Sequence, residues 1–250
     1  MIINKDISAI RKTAENLLNS SFISKLPVSD RSKELLAFTL AEVLITLLII
    51  GIVASLVIPG LIADTQEAEL HTAWKKAFAD FSQATKLIIV DNGGTLKGLF
   101  ANATTLRNYY APYLNYTKLC NDAQTLGNCW HKNNGSVKYL SGVPVTTDWP
   151  NSGTGFILSN GNLVWFVMRS KDCDYPTGNL MVCATGHVDV NGFKGPNIVG
   201  KDIYGFKILE NRIVPYGILG DDSNYYPAIN DCSNPPNTSS GWGCSTLYLN

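Results

Sequence analysis

The sequence is poor in the residues from which active sites are usually assembled. Its 250 residues hold three histidines, His71, His131 and His187, far apart in the chain. No Gly-x-Ser-x-Gly, Gly-x-Gly-x-x-Gly or P-loop occurs, so the common acyl-transfer, dinucleotide and nucleotide-phosphate signatures are missing. No Cys-x-x-Cys is present and no histidine stands at ligand spacing from a cysteine, which removes the usual pattern of a structural zinc site. Asp172 and Asp174 flank Cys173 and read as a solvated turn rather than an acid and its base. His187 and Asp189 alternate with Val188 and Val190, the pattern of a strand with its histidine facing outward. The expectation is a protein that is not an enzyme.

Charge is scarce as well. Only 16% of residues are charged and the formal net charge is zero. Residues 1–37 carry six Lys/Arg against four Asp/Glu, which leaves a slightly acidic remainder, so no nucleic-acid partner is expected. Cysteine is absent from the first 119 residues, and all six cysteines (Cys120, Cys129, Cys173, Cys183, Cys232, Cys244) follow. That distribution fits a C-terminal part facing an oxidising compartment. Gaps of 8, 9 and 11 residues within successive pairs make three local bridges the simplest pairing.

What the chain does have is one long apolar run. From Phe38 to Ile62 the only ionisable residue is Glu42, and the run is long enough for a helix to cross about 30 Å of hydrocarbon. A carboxylate at that depth is costly and calls for a partner. Arg31 and Lys33 precede the run, whereas Asp64, Glu67 and Glu69 follow it, so the positive-inside rule puts the N-terminal tail in the cytoplasm and residue 63 onward outside. Within the tail, Ile7, Ile10, Ala14, Leu17 and Leu18 fall at helical spacing, readable either as a short amphipathic helix or as a solvated tail. A secretory signal would have a shorter apolar core followed by a small-residue cleavage site. Here the candidate small residue, Ala37, comes before the run.

Ala37-Phe38-Thr39-Leu40-Ala41-Glu42-Val43-Leu44, the apolar run and Pro59 resemble the N-terminal cleavage and methylation segment of type IV prepilins and type II secretion pseudopilins. The resemblance covers about 30 residues and departs from the family pattern at Ala37, where a glycine is usual. It implies cleavage between Ala37 and Phe38 by a prepilin peptidase, methylation of Phe38, and an assembly role for Glu42, paired with the Phe38 amine of a neighbouring subunit. It further implies an inner-membrane protein with its head outside, whose partners are other pilin or pseudopilin subunits in a filament. The alternatives are a minor pilin whose head binds DNA, a surface or a secreted substrate, and an anchored exoprotein that is never cut.

Beyond a kink expected at Pro59-Gly60, Leu70, Trp74, Ala77, Phe78, Phe81, Ala84, Thr85 and Ile88 recur at helical spacing. Asp91-Asn92-Gly93-Gly94 is a strong stop. A short helix is expected near Thr104–Leu114, followed by loops pinned by Cys120 and Cys129, with Tyr109, Tyr110, Tyr113 and Tyr116 packing on the long helix. Strands follow at 156–158 and 163–168 around an Asn-Gly turn, then at 181–184, 187–190, 203–209 and 212–216. The organisation is thus a leader (1–37), a transmembrane or filament-core helix (38–62), its amphipathic continuation (63–94) and a disulfide-containing head (95–250). The fold class is α+β: a long N-terminal helix on an antiparallel β-meander, which the resemblance makes pilin-like. In the head, Asp189, Asn191 and Asp202 in a glycine-containing loop offer oxygen donors for calcium, which some pseudopilin heads hold. The other reading is a loop whose Asp189 and Asn191 cap their own backbone. The loop is no EF-hand, having neither the glycine at the sixth position nor the closing Glu.

Overall fold

The computed structural model describes residues 40–121, 125–132, 134–146, 153–218, 221, 232 and 240–249. The whole leader with Ala37, and the expected processing residue Phe38, lie outside them. The chain divides into two compact units, 1–54 and 55–250, at a boundary that falls inside the first helix.

Helix α1 spans Leu40–Asp91. Up to Ile62 it is built almost wholly from Leu, Ile, Val and Ala, and every large apolar side chain from Leu40 to Ile62 is exposed. Pro59 does not end the helix: it removes one backbone donor, and the turns on either side keep their own bonds. From Leu70 the 3.6-residue period takes over. Trp74, Ala77, Phe81, Ala84, Thr85 and Ile88 are buried, with Leu70 and Phe78 packed partly against them. The helix closes where glycine permits a left-handed turn. Gly93 and Gly94 have φ of 85° and 94°, the Gly94 N–H reaches back to the Ile89 carbonyl at 2.8 Å, and Asn92 Nδ2 donates to the Ile88 carbonyl at 2.8 Å.

Helix α2 (Ala103–Tyr110) starts at Asn102, whose side chain accepts the Thr105 N–H. It passes into a 3₁₀ turn, Ala111–Tyr113, with Pro112 in its first turn, so the single helix expected over 104–114 is shorter and ends tightened. Of the four tyrosines, Tyr110 is fully buried and bonded to Thr85 (2.7 Å), Tyr109 and Tyr113 pack on the core edge, and Tyr116 is exposed on a strand.

Six strands form one antiparallel sheet in the order β1-β2-β3-β6-β7-β8: β1 Tyr116–Cys120, β2 Thr154–Leu158, β3 Leu163–Met168, β6 Ala184–Asp189, β7 Ile203–Ile208 and β8 Ile213–Pro215. A two-stranded ribbon, β4 Tyr175–Thr177 and β5 Leu180–Val182, projects between β3 and β6. Two expectations are corrected here. Residues 116–120 form an edge strand, not a disulfide-pinned loop, and the separate strands expected at 181–184 and 187–190 are the end of β5 and a continuous β6. A short helix α3, Cys244–Leu247, completes the described chain.

The sheet is covered on both faces. One face packs on α1 through Phe156, Val164, Phe166, Val188, Tyr204 and Phe206. The other packs beneath the 125–146 loops and Trp242 through Leu163, Trp165, Val167, Ile203 and Tyr216. Strands β6 and β7 are therefore buried at every position, including the polar Thr185, His187, Asp189 and Lys207. Gly186 faces Phe206 across the ladder, and a Cβ there would stand 2.3 Å from Phe206 Cζ. The ring occupies the space that glycine leaves open.

The cysteines are joined as Cys120–Cys129, Cys173–Cys183 and Cys232–Cys244, the successive pairs that their spacing favours. The first ties the end of edge strand β1 to the loops over the outer face. The last ties α3 to the chain before it.

Candidate functional site

Two regions concentrate chemistry. In the helical segment that begins α1, Leu40–Ile62 is apolar around its whole circumference, with the large side chains between 42% and 80% exposed. A helix apolar on every side needs an apolar environment on every side. α1 is the one helix among the described residues long and apolar enough to cross a membrane. Glu42 lies in its first turn, where unsatisfied N–H groups and the helix dipole favour a negative charge.

In the head, the turn after β6 brings Asp189, Asn191 and Asp202 together with His131, which the sequence did not single out for this role. Asp189 is fully buried; its Oδ2 meets His131 Nε2 at 2.7 Å and its Oδ1 accepts the Asn191 N–H at 3.1 Å. Burial pushes the Asp189 carboxyl up to about 6, against the pull of the His131 hydrogen bond. Both oxygens of buried Asp202 accept backbone N–H groups, from Asn197 at 2.7 Å and from Ile198 at 2.6 Å. Burial raises its carboxyl too, opposed by those bonds. Asn191 Nδ2 donates to the Gly195 carbonyl at 3.1 Å.

The loop thus closes on itself by side-chain-to-backbone bonds, as in an Asx turn. Asn191 Oδ1 and Asn197 Oδ1 are buried without a hydrogen-bond partner; such oxygens suit a hard cation. A shell of about six to eight oxygens, however, would draw on carboxylates that already close the loop. Among the described residues no group of three or more His, Cys, Asp or Glu is arranged to hold a metal ion.

His187 corrects the sequence reading most sharply. It is buried, not outward-facing, with Nε2 3.1 Å from the Tyr216 hydroxyl and its ring among Trp165, Tyr216 and Trp242 at centroid distances of 4.9, 5.6 and 4.9 Å. Burial lowers its pKa to about 3, with Arg169 adding to the effect. Strand alternation had placed it on a solvent face, but that face lies under the loops and Trp242.

A second buried pair also escaped the sequence reading. Lys207 on β7 is hydrogen-bonded to Asp221, both fully buried, and lies over the Tyr216 ring at 5.7 Å. Burial lowers the lysine's pKa and the carboxylate opposes the shift. No periodicity or motif marks such a pair, because its members come together only through the fold. Asp172 and Asp174 are exposed: the Asp172 N–H bonds Ser170 Oγ at 3.1 Å, and Ser170 donates to Asp174.

Comparison with family models, with curated proteins and with solved structures finds no match to this chain.

Proposed function

We propose that this chain is a structural subunit of a type IV pilus or a type II secretion pseudopilus, held in the inner membrane by residues 38–62 before it assembles helix on helix. The observation that carries the reading is the segment Leu40–Ile62: helical, exposed, apolar all round, and charged only at Glu42 near its start. Lipid satisfies such a surface in storage, and the helices of other subunits satisfy it in a filament. The disulfide-held head is then the part displayed outside, and prepilin peptidase is the processing partner.

Two measurements test this. The protein isolated from membranes is expected to begin at N-methylated Phe38; a chain still carrying residues 1–37 would leave a signal anchor and overturn the proposal. In the assembled state Glu42 pairs with the Phe38 amine of a neighbour. Opposite charges about 4 Å apart attract by about 1 kcal/mol in water and by more at low dielectric. Glu42→Ala is therefore expected to leave cleavage intact and to reduce recovery in sheared filaments by about tenfold or more. Wild-type recovery would remove the assembly role.

A further inference from the structure

Lys207 stands within the sheet, on β7, with its side chain fully buried. Its Nζ meets Oδ1 of Asp221, whose side chain is fully buried as well. The other carboxylate oxygen, Oδ2, accepts the Gly217 N–H at 3.1 Å. The surroundings are largely apolar. Val214, the partner of Lys207 on β8, packs with Val182 and Leu209, and the Tyr216 ring centre lies 5.7 Å from Nζ. On β6 the partner of Lys207 is Thr185, whose Oγ1 is buried without a hydrogen-bond partner.

Two ions placed in this way have both lost their hydration, which penalises the charged forms. Passing one proton from the ammonium to the carboxylate discharges both and leaves an amine against a carboxylic acid. Burial acts in that direction on the lysine, and the charge of Arg169 adds to it, against the pull of Asp221. A nucleophile and an acyl group are then held in contact, and well-oriented groups of this kind react as though present at about 10⁵ M or more. The Gly217 N–H points at Oδ2, the oxygen that takes up negative charge when nitrogen adds to the carboxyl carbon. Water, which would return an amide to the acid, is kept from both side chains.

We propose that Lys207 and Asp221 condense into an intramolecular isopeptide bond. The Nζ lone pair adds to Asp221 Cγ and the Cγ–Oδ1 bond breaks. Oδ1 departs as water, carrying the proton it took from the ammonium and a second one from the attacking nitrogen. One N–H amide forms, nothing is oxidised or reduced, and no co-reactant is consumed. Thr185, across the ladder from Lys207, offers its hydroxyl as a path for the second proton. The bond also falls where it has mechanical value. β8 ends the sheet order with β7 as its neighbour, and an amide from 207 to 221 fastens the chain that leaves β8 back to β7. The strand then cannot be peeled from the edge by breaking backbone hydrogen bonds alone.

The test is mass spectrometry of the full chain purified from membranes, then reduced, alkylated, denatured and digested. Trypsin ordinarily separates residues 202–207, 208–212 and 213–250 by cutting after Lys207 and Arg212. The bond blocks the cut at Lys207 and joins 202–212 to 213–250 in one branched peptide, lighter by one water than its two parts. Those peptides belong to the head, so the result does not depend on removal of residues 1–37 or on filament assembly. Lys207→Met and Asp221→Ala are each expected to abolish the branched peptide, whereas Lys171→Met, at an exposed lysine, should keep it. Linear peptides at full mass from the wild-type chain would overturn the proposal and leave a buried ion pair. Loss of water confined to 213–250 would also overturn it, since that marks a cyclic imide at an aspartate. A branched peptide that survives Asp221→Ala would do the same by moving the bond to another carboxyl group. The wild-type digest alone decides the matter if a variant fails to fold.

Discussion

Phe81→Ala is expected to destabilise the head by about 3 to 5 kcal/mol. Phe81 is fully buried where α1 meets the sheet. Its ring lies 5.0 Å from Phe206, 6.0 Å from Tyr110 and Phe166, and 6.4 Å from Phe156, centroid to centroid. Those neighbours come from α2, β2, β3 and β7, so no single element can move in to fill the space. The cost therefore combines lost transfer energy with a cavity that cannot collapse. Urea denaturation followed by tryptophan fluorescence would show the midpoint move sharply downward. Leu87→Ala, on the same helix but 41% exposed, should shift it by less than about 1 kcal/mol. Equal midpoints for Phe81→Ala and wild type would mean that the helix is not the keystone of this core.

Acid sensitivity centred on His187 is the second large effect. Its folded-state pKa is about 3 against an ordinary 6.5, so between those values the unfolded chain binds a proton that the folded one refuses. Stability present above pH 6.5 is then lost as pH falls toward 3, by about 4 to 5 kcal/mol if that burial persists. Asp189 acts in the opposite sense. With its pKa raised from 3.8 to about 6, it favours the folded state most below pH 3.8, and that contribution, about 3 kcal/mol, is lost as pH rises through 6. The histidine has the larger span, so the net expectation is destabilisation on acidification. Thermal melting of His187→Phe across pH 4 to 7 should give a flatter profile than wild type. Asp189→Asn should steepen the acid loss. Identical profiles in all three proteins would place the acid sensitivity elsewhere.

The helix and the hairpins were legible because their signals are local. The recurrence from Leu70 to Ile88 needs only the helical period, and Asn92-Gly93-Gly94 stops the helix through backbone geometry that its own residues dictate. The β2–β3 hairpin is written in the Asn160-Gly161 turn, with Gly161 at φ 90°. Edge strand β1 was not legible. Tyr116 to Leu119 are all exposed, so no alternation of buried and exposed positions marks them as a strand. Strand β6 was split at Thr185-Gly186, and the glycine makes sense only once Phe206 is seen opposite it.

The sequence by itself determined the apolar segment, its single carboxylate, the face of the helix that enters the head and the local reach of each cysteine pair, all properties of residues within a few turns of one another. Tertiary structure alone decided that neither face of the sheet meets solvent. Loops 125–146 and Trp242 cover the face that strand alternation would leave open, placing His187 inside, and the loop closures draw Asp189 and Asp202 inward. Burial depends on what distant chain lies above a residue, and neither a period nor a net charge records that.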